Sequence, residues 1–134
     1  MRTYLIEPQL LFVPYLTRVL ADVGLHVIAT SDDVDGKDIA LHDPAAIFVD
    51  VDFSERGAPN AICRIRQVAK HAAVIAFSEL DDPTFEAACY ISGASAVVSK
   101  RAGVDVTPAH AGRTNQSLRS GCCGRSGRCE SRTW

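Results

Sequence analysis

AVIAFSELDDPTFEAACYISGASAVVSK, residues 73–100, decides the fold. Two short apolar runs, AVIAF (73–77) and SAVVS (95–99), flank a helical stripe of Phe85, Ala88 and Cys89. Asp82 is placed to cap that helix, and Pro83 takes its first position, where a missing amide donor is tolerated. A helix between two strands allows them to run parallel, which a tight turn does not. Both runs are nearly continuous in Val, Ile and Ala, the pattern of strands covered on both faces.

The same alternation extends back to residue 3. TYLIE (3–7), HVIAT (26–30) and AAIFVD (45–50) read as three further strands. Between the first two, Phe12, Leu16, Val19, Leu20 and Val23 recur at helical spacing and stop at Gly24, with Pro14 in the first turn. Ile62, Ile65 and Ala69 make another stripe, which puts Arg64, Arg66 and Lys70 mostly on the wet side. Strand–helix alternation repeated this often predicts an α/β fold, a doubly wound parallel sheet with helices on both faces and right-handed crossovers.

Sheets of this kind carry their working groups at the carboxyl ends of the strands. The residues that end or follow strands one, three, four and five are Glu7, Asp50, Ser78 and Lys100. Their chemistry is coherent. Two carboxylates suit a hard cation such as Mg2+. An aspartate beside it suits a phosphoryl acceptor, and a serine hydroxyl and a lysine ammonium suit the transferred oxygens.

With those residues in place, residues 2 to about 101 resemble a response-regulator receiver domain of two-component signalling. LIEPQLLFVPYLTRVLADVG is similar to the first strand and helix of that family, and DPAAIFVDVDFS to its third strand. Residues 73–100 keep the family spacing from Ser78, through the DDP helix start and SGAS, to Lys100. The resemblance implies a flavodoxin-like (βα)5 sheet in strand order 2-1-3-4-5. It implies Asp50 as phosphoacceptor, Ser78 as the switch hydroxyl and Lys100 as the phosphoryl contact. For Mg2+ it implies Glu7, Asp50 and the backbone oxygen of Asp52.

Two positions depart from the family. Two adjacent acids normally follow strand one, and here they are Glu7 and Pro8. Pro8 stands where the family has its direct metal ligand, while Glu7 holds the position that meets the metal through water. Mg2+ relies on few protein ligands, so its binding is expected to be weakened. The aromatic readout position three residues before the lysine is Val97. The expectation is an atypical receiver acting by protein–protein interaction, with weak or absent phosphorylation of Asp50. A competent phospho-accepting receiver is the alternative. A haloacid-dehalogenase-like phosphohydrolase is a further one, since VDVDFS fits its D-x-D motif, with Asp50 as nucleophile and Asp52 as acid–base. That motif normally lies on the first strand, whereas here two strands precede it.

Charge and composition bound the rest. Residues 1–100 carry 8 Lys/Arg against 14 Asp/Glu, and residues 101–134 carry 6 against 2. Neither part suggests a nucleic-acid footprint, and no run approaches the roughly 20 apolar residues of a membrane span. With no secretory signal in MRTYLIEPQ, a cytoplasmic, non-enzymatic protein is expected. Its partner would be a histidine kinase or another signalling protein, with a homodimer as an option. Residues 1–102 read as the domain. Residues 103–134, rich in Gly, Ser, Arg and Cys, read as a disordered tail, the final helix being degenerate or missing through truncation or a frame change. Cys63 and Cys89 read as inert core thiols, and Cys122, Cys123 and Cys129 lack zinc spacing. His26, His42, His71 and His110 show no paired metal spacing. SDDVDGKD (31–38) resembles a calcium loop only superficially, because its twelfth position is His42, and is read as a solvated loop.

Overall fold

The computed structural model describes residues 1–53 and 57–102 of the 134. Among the described residues, five strands alternate with four helices: β1 (Arg2–Ile6), α1 (Val13–Asp22), β2 (His26–Ser31), α2 (Gly36–His42), β3 (Ala46–Asp50), α3 (Ala58–Val68), β4 (Ala73–Ser78), α4 (Pro83–Ser92) and β5 (Ala96–Ser99). Short 3-10 turns at Leu10–Phe12 and Lys100–Ala102 precede α1 and follow β5. The sheet is parallel throughout in the order β2-β1-β3-β4-β5. This is the expected flavodoxin-like arrangement. The expected tail and the degenerate final helix lie outside the described residues, as do His110 and the three tail cysteines.

Local signals explain the boundaries. The Asp82 carboxylate accepts from Thr84 N–H with Pro83 at the first helical position of α4, and Asp35 accepts from Lys37 and Asp38 N–H to open α2. The acidic stretch 32–35 is thus the loop that leads from β2 into α2. In α1, Leu16 and Leu20 are buried, but Phe12 falls before the helix and is 52% exposed, so the stripe is shorter than the sequence suggests.

Alternation along the strands builds two cores. Tyr4, Ile6, Ile47, Val49, Val74 and Ala76 face α2, α3 and α4, whose Ile39, Ile62, Ile65 and Cys89 complete that side. Leu5, Phe48, Ile75 and Phe77 face the side covered by Leu16 and Leu20 of α1. β3 is buried along its whole length, as a central strand must be. Cys63 and Cys89 are buried in the core. Burial, helped by the Glu86 charge, pushes the Cys89 thiol up to about 12, so no thiolate is present at neutral pH.

One arginine staples the amino edge of the sheet. Arg66, expected on the wet side of α3, bends back so that Nε donates to Gly93 O at 2.7 Å and Nη1 to Ala72 O at 2.5 Å. Nη2 donates to Ser95 Oγ at 3.1 Å, an oxygen that also accepts from Val74 N–H. Its stem runs beside Gly93 while the head satisfies loop carbonyls. Gly93 ends α4 at φ 114°, and a Cβ there would sit 2.8 Å from Arg66 Cγ. Only glycine fits both the turn and the staple.

Candidate functional site

Parallel register brings the polar strand ends together. Asp50 pairs with Phe77, and Ser78 with Ser99, so the last residues of β3, β4 and β5 share one edge. Glu7 follows β1 on the same edge, its amide donating to Ser31 O. Lys100 follows β5 directly. All four residues singled out in the sequence therefore stand at the carboxyl edge of the sheet. Three are buried, Glu7 at 2%, Asp50 at 6% and Ser78 at 0% exposure, so their polar atoms must find partners inside the protein.

Lys100 is the centre of the site. Its Nζ lies 2.7 Å from Asp50 Oδ2 and 2.8 Å from Asp52 Oδ2. The rings of Phe77 and Phe53 flank it, with centroids 5.1 and 5.3 Å from Nζ. Burial alone would lower the lysine pKa, but the two carboxylates outweigh it and raise the pKa on balance. The ammonium is firmly charged.

Asp50 divides its oxygens. Oδ2 takes Lys100, and Oδ1 accepts from Asp52 N–H at 3.0 Å, which fixes the turn after β3. Glu7 faces Asp50 from β1, while its Oε1 accepts from Gln9 N–H at 2.8 Å. Burial raises the Glu7 pKa first. The Gln9 amide opposes this, the Asp50 charge and the hydrogen bond to Asp50 reinforce it, and the balance is a raised value. The cost of placing the Glu7 carboxyl in a buried position beside the Asp50 charge is what raises it.

The sequence reading gave Asp52 a backbone role, and its carboxylate is the contact that reading missed. Oδ1 accepts from Ser78 Oγ at 2.5 Å, and Oδ2 accepts from Glu79 N–H at 2.9 Å as well as from Lys100. Burial, the largest influence, raises its pKa. The Lys100, Ser78 and Glu79 donors together outweigh it and hold the carboxyl below the usual range. The direction of this side chain depends on the backbone turn after β3, which residue type and spacing do not reveal. Val97 packs half-buried against the α2–α4 core.

A divalent cation fits this donor set poorly. Asp50 has both oxygens engaged, Glu7 leans on Asp50 with a raised pKa, and Pro8 offers no side-chain oxygen. Among the described residues, no group of three or more His, Cys, Asp or Glu side chains is arranged to hold a metal. None of the helices among them is long and apolar enough to cross a membrane.

No family model and no curated protein matches the sequence. Solved structures do match. The signal receiver domain of the response regulator NarL from Mycobacterium tuberculosis superposes with a TM-score of 0.65 at 20% identity, over 82% of this chain and 88% of that one. CheY of Borrelia burgdorferi, in a complex with CheX, BeF3 and Mg2+, gives 0.62 at 20% identity, over 75% and 78%. An atypical orphan response regulator, described as having a phosphorylation-independent regulatory mechanism, gives 0.60 at 20% identity, over 75% and 82%. The fold is that of response-regulator receiver domains.

Proposed function

We propose that residues 1–102 form an atypical receiver module of two-component signalling that works through protein–protein interaction, with phosphorylation of Asp50 weak or absent. It is a signalling module rather than an enzyme. Its partner is a histidine kinase or another signalling protein in the cytoplasm. One observation carries this reading: the acceptor carboxylate is already neutralised by Lys100 at 2.7 Å, while the loop after β1 contributes Pro8 where a second acid would draw in Mg2+. An aspartate is a useful phosphoryl acceptor when a cation balances the incoming charge. Their common place at the carboxyl edge supports reading Asp50, Ser78 and Lys100 as the residues that would hold a phosphoryl group, with Mg2+ held only weakly by Glu7, Asp50 and the Asp52 backbone oxygen. A neighbour of the same fold is described as regulated without phosphorylation, which supports such a mode for this architecture.

Intact-mass measurement after incubation with acetyl phosphate and Mg2+ tests the proposal. The expected result is little or no 80 Da adduct, on the order of a tenth of the protein or less. Rapid stoichiometric modification, lost in Asp50→Ala, would establish a competent phospho-accepting receiver instead. Mg2+-dependent hydrolysis of an aryl phosphate, abolished by Asp52→Asn, would point to a phosphohydrolase.

A further inference from the structure

The Asp52 carboxylate is bound by three donors from two different strand ends. Ser78 Oγ at 2.5 Å, Glu79 N–H at 2.9 Å and Lys100 Nζ at 2.8 Å converge on its two oxygens. A hydroxyl, a backbone amide and an ammonium aimed at one point form an oxyanion cradle, and charge-assisted bonds of this kind are the strong ones. The cradle is pre-set. Ser78 Oγ accepts from Leu80 N–H at 3.0 Å, which turns the hydroxyl proton towards Asp52. The arm is pre-set too, because Asp52 N–H donates to Asp50 Oδ1 and fixes the turn that delivers the carboxylate.

We propose that Asp52 is a built-in oxyanion ligand, occupying through its own carboxylate the cradle that a phosphoryl-type anion would otherwise fill. The inference deepens the receiver reading above and rests on it for the identity of the competing anion. Two consequences follow. The segment Ser78–Leu80, which leads into α4, is held in its anion-bound arrangement without any phosphoryl group. An external phosphate must displace a tethered competitor, and tethering gives that competitor a high effective concentration. If the internal contact is made about nine-tenths of the time, the apparent affinity for an external anion falls roughly tenfold.

The test uses the full chain, 15N-labelled, with inorganic phosphate as probe at constant ionic strength. The Glu79 amide resonance reports cradle occupancy. In wild type this amide should be hydrogen-bonded and nearly unresponsive to phosphate. In Asp52→Ala it should shift and exchange faster, and phosphate should return it towards the wild-type position with an affinity at least about tenfold tighter than wild type shows. Asp81→Ala, which removes an equal charge from the same exposed loop, should change phosphate affinity by less than about twofold. Asp52→Asn keeps the shape and one acceptor oxygen, and should fall between wild type and Ala. This variant decides the matter if Ala does not fold. Equal phosphate affinity in wild type and both Asp52 variants overturns the proposal, and so does an equal gain in Asp81→Ala. Acetyl phosphate labelling of Asp50 judges the receiver reading independently, because inorganic phosphate needs no transfer to occupy the cradle.

Discussion

At the amino edge of the sheet, Arg66 donates to the carbonyl oxygens of Gly93 and Ala72 and to Ser95 Oγ. At the carboxyl edge, Lys100 donates to the carboxylates of Asp50 and Asp52. Both cations tie together segments distant in sequence. Their partners differ in kind. Backbone carbonyls are permanent and cannot change charge, so a guanidinium with a fixed fork of donors suits them. Carboxylates accept protons, bind cations or move aside, and an ammonium on a flexible stem can follow them. The first edge is built to stay as it is, and the second is built from groups that can exchange partners. This predicts that stability and anion chemistry separate between the two edges when each is mutated.

Arg66→Ala should give the largest effect, a loss of about 3 kcal/mol. Several hydrogen bonds to a charged group go at once, and the loop carbonyls are left with at most partial hydration. Urea unfolding checks it, and phosphate affinity at Glu79 should stay within about twofold of wild type. A loss below about 1 kcal/mol would mean that water replaces the guanidinium, and the amino edge would no longer count as the rigid one.

Gly93→Ala comes next, at about 2 kcal/mol. Its φ of 114° is costly for any residue with a Cβ, and that Cβ would meet Arg66 Cγ at 2.8 Å. The two costs separate in an Arg66→Ala background, where the clash disappears and the backbone strain of about 1 kcal/mol remains. Simple additivity of the two substitutions would show that the Gly93 requirement is backbone strain alone.

The contrast between the edges also explains what the sequence could reveal. The polar residues ending β3, β4 and β5 stood out because they interrupt apolar runs, and the cap at Asp82–Pro83 placed α4 through local chemistry alone. Strand order came from resemblance, since periodicity does not say which strands are neighbours. Arg66 was misread because helical periodicity locates a Cβ, whereas a long side chain can carry its head back across the helix end to another loop. Asp52 was underread for a related reason. Its position two residues past Asp50 is plain, but whether it offers its carboxylate or its carbonyl depends on a turn that Asp50 Oδ1 itself stabilises. Functional contacts made through turns and long side chains are tertiary facts.

Glu7→Gln should give the smallest effect, and a gain rather than a loss. Burial is the main cause of the raised Glu7 pKa, with the Asp50 charge adding to it. A carboxyl whose pKa is higher folded than unfolded favours the native state below its unfolded value. That contribution is lost as the pH rises through the folded value. As the pH rises the wild-type protein therefore bears an increasing cost for burying an ionisable carboxyl beside the Asp50 charge. Gln removes that ionisable carboxyl while its side-chain oxygen can still accept from Gln9 N–H. The variant should match wild type near pH 4 and be more stable at pH 7 by on the order of 1 kcal/mol, a difference that opens as pH rises. Urea unfolding at the two pH values measures it. A variant less stable than wild type at pH 7 would mean that the Glu7 charge holds the carboxyl edge together, as Arg66 does the amino edge.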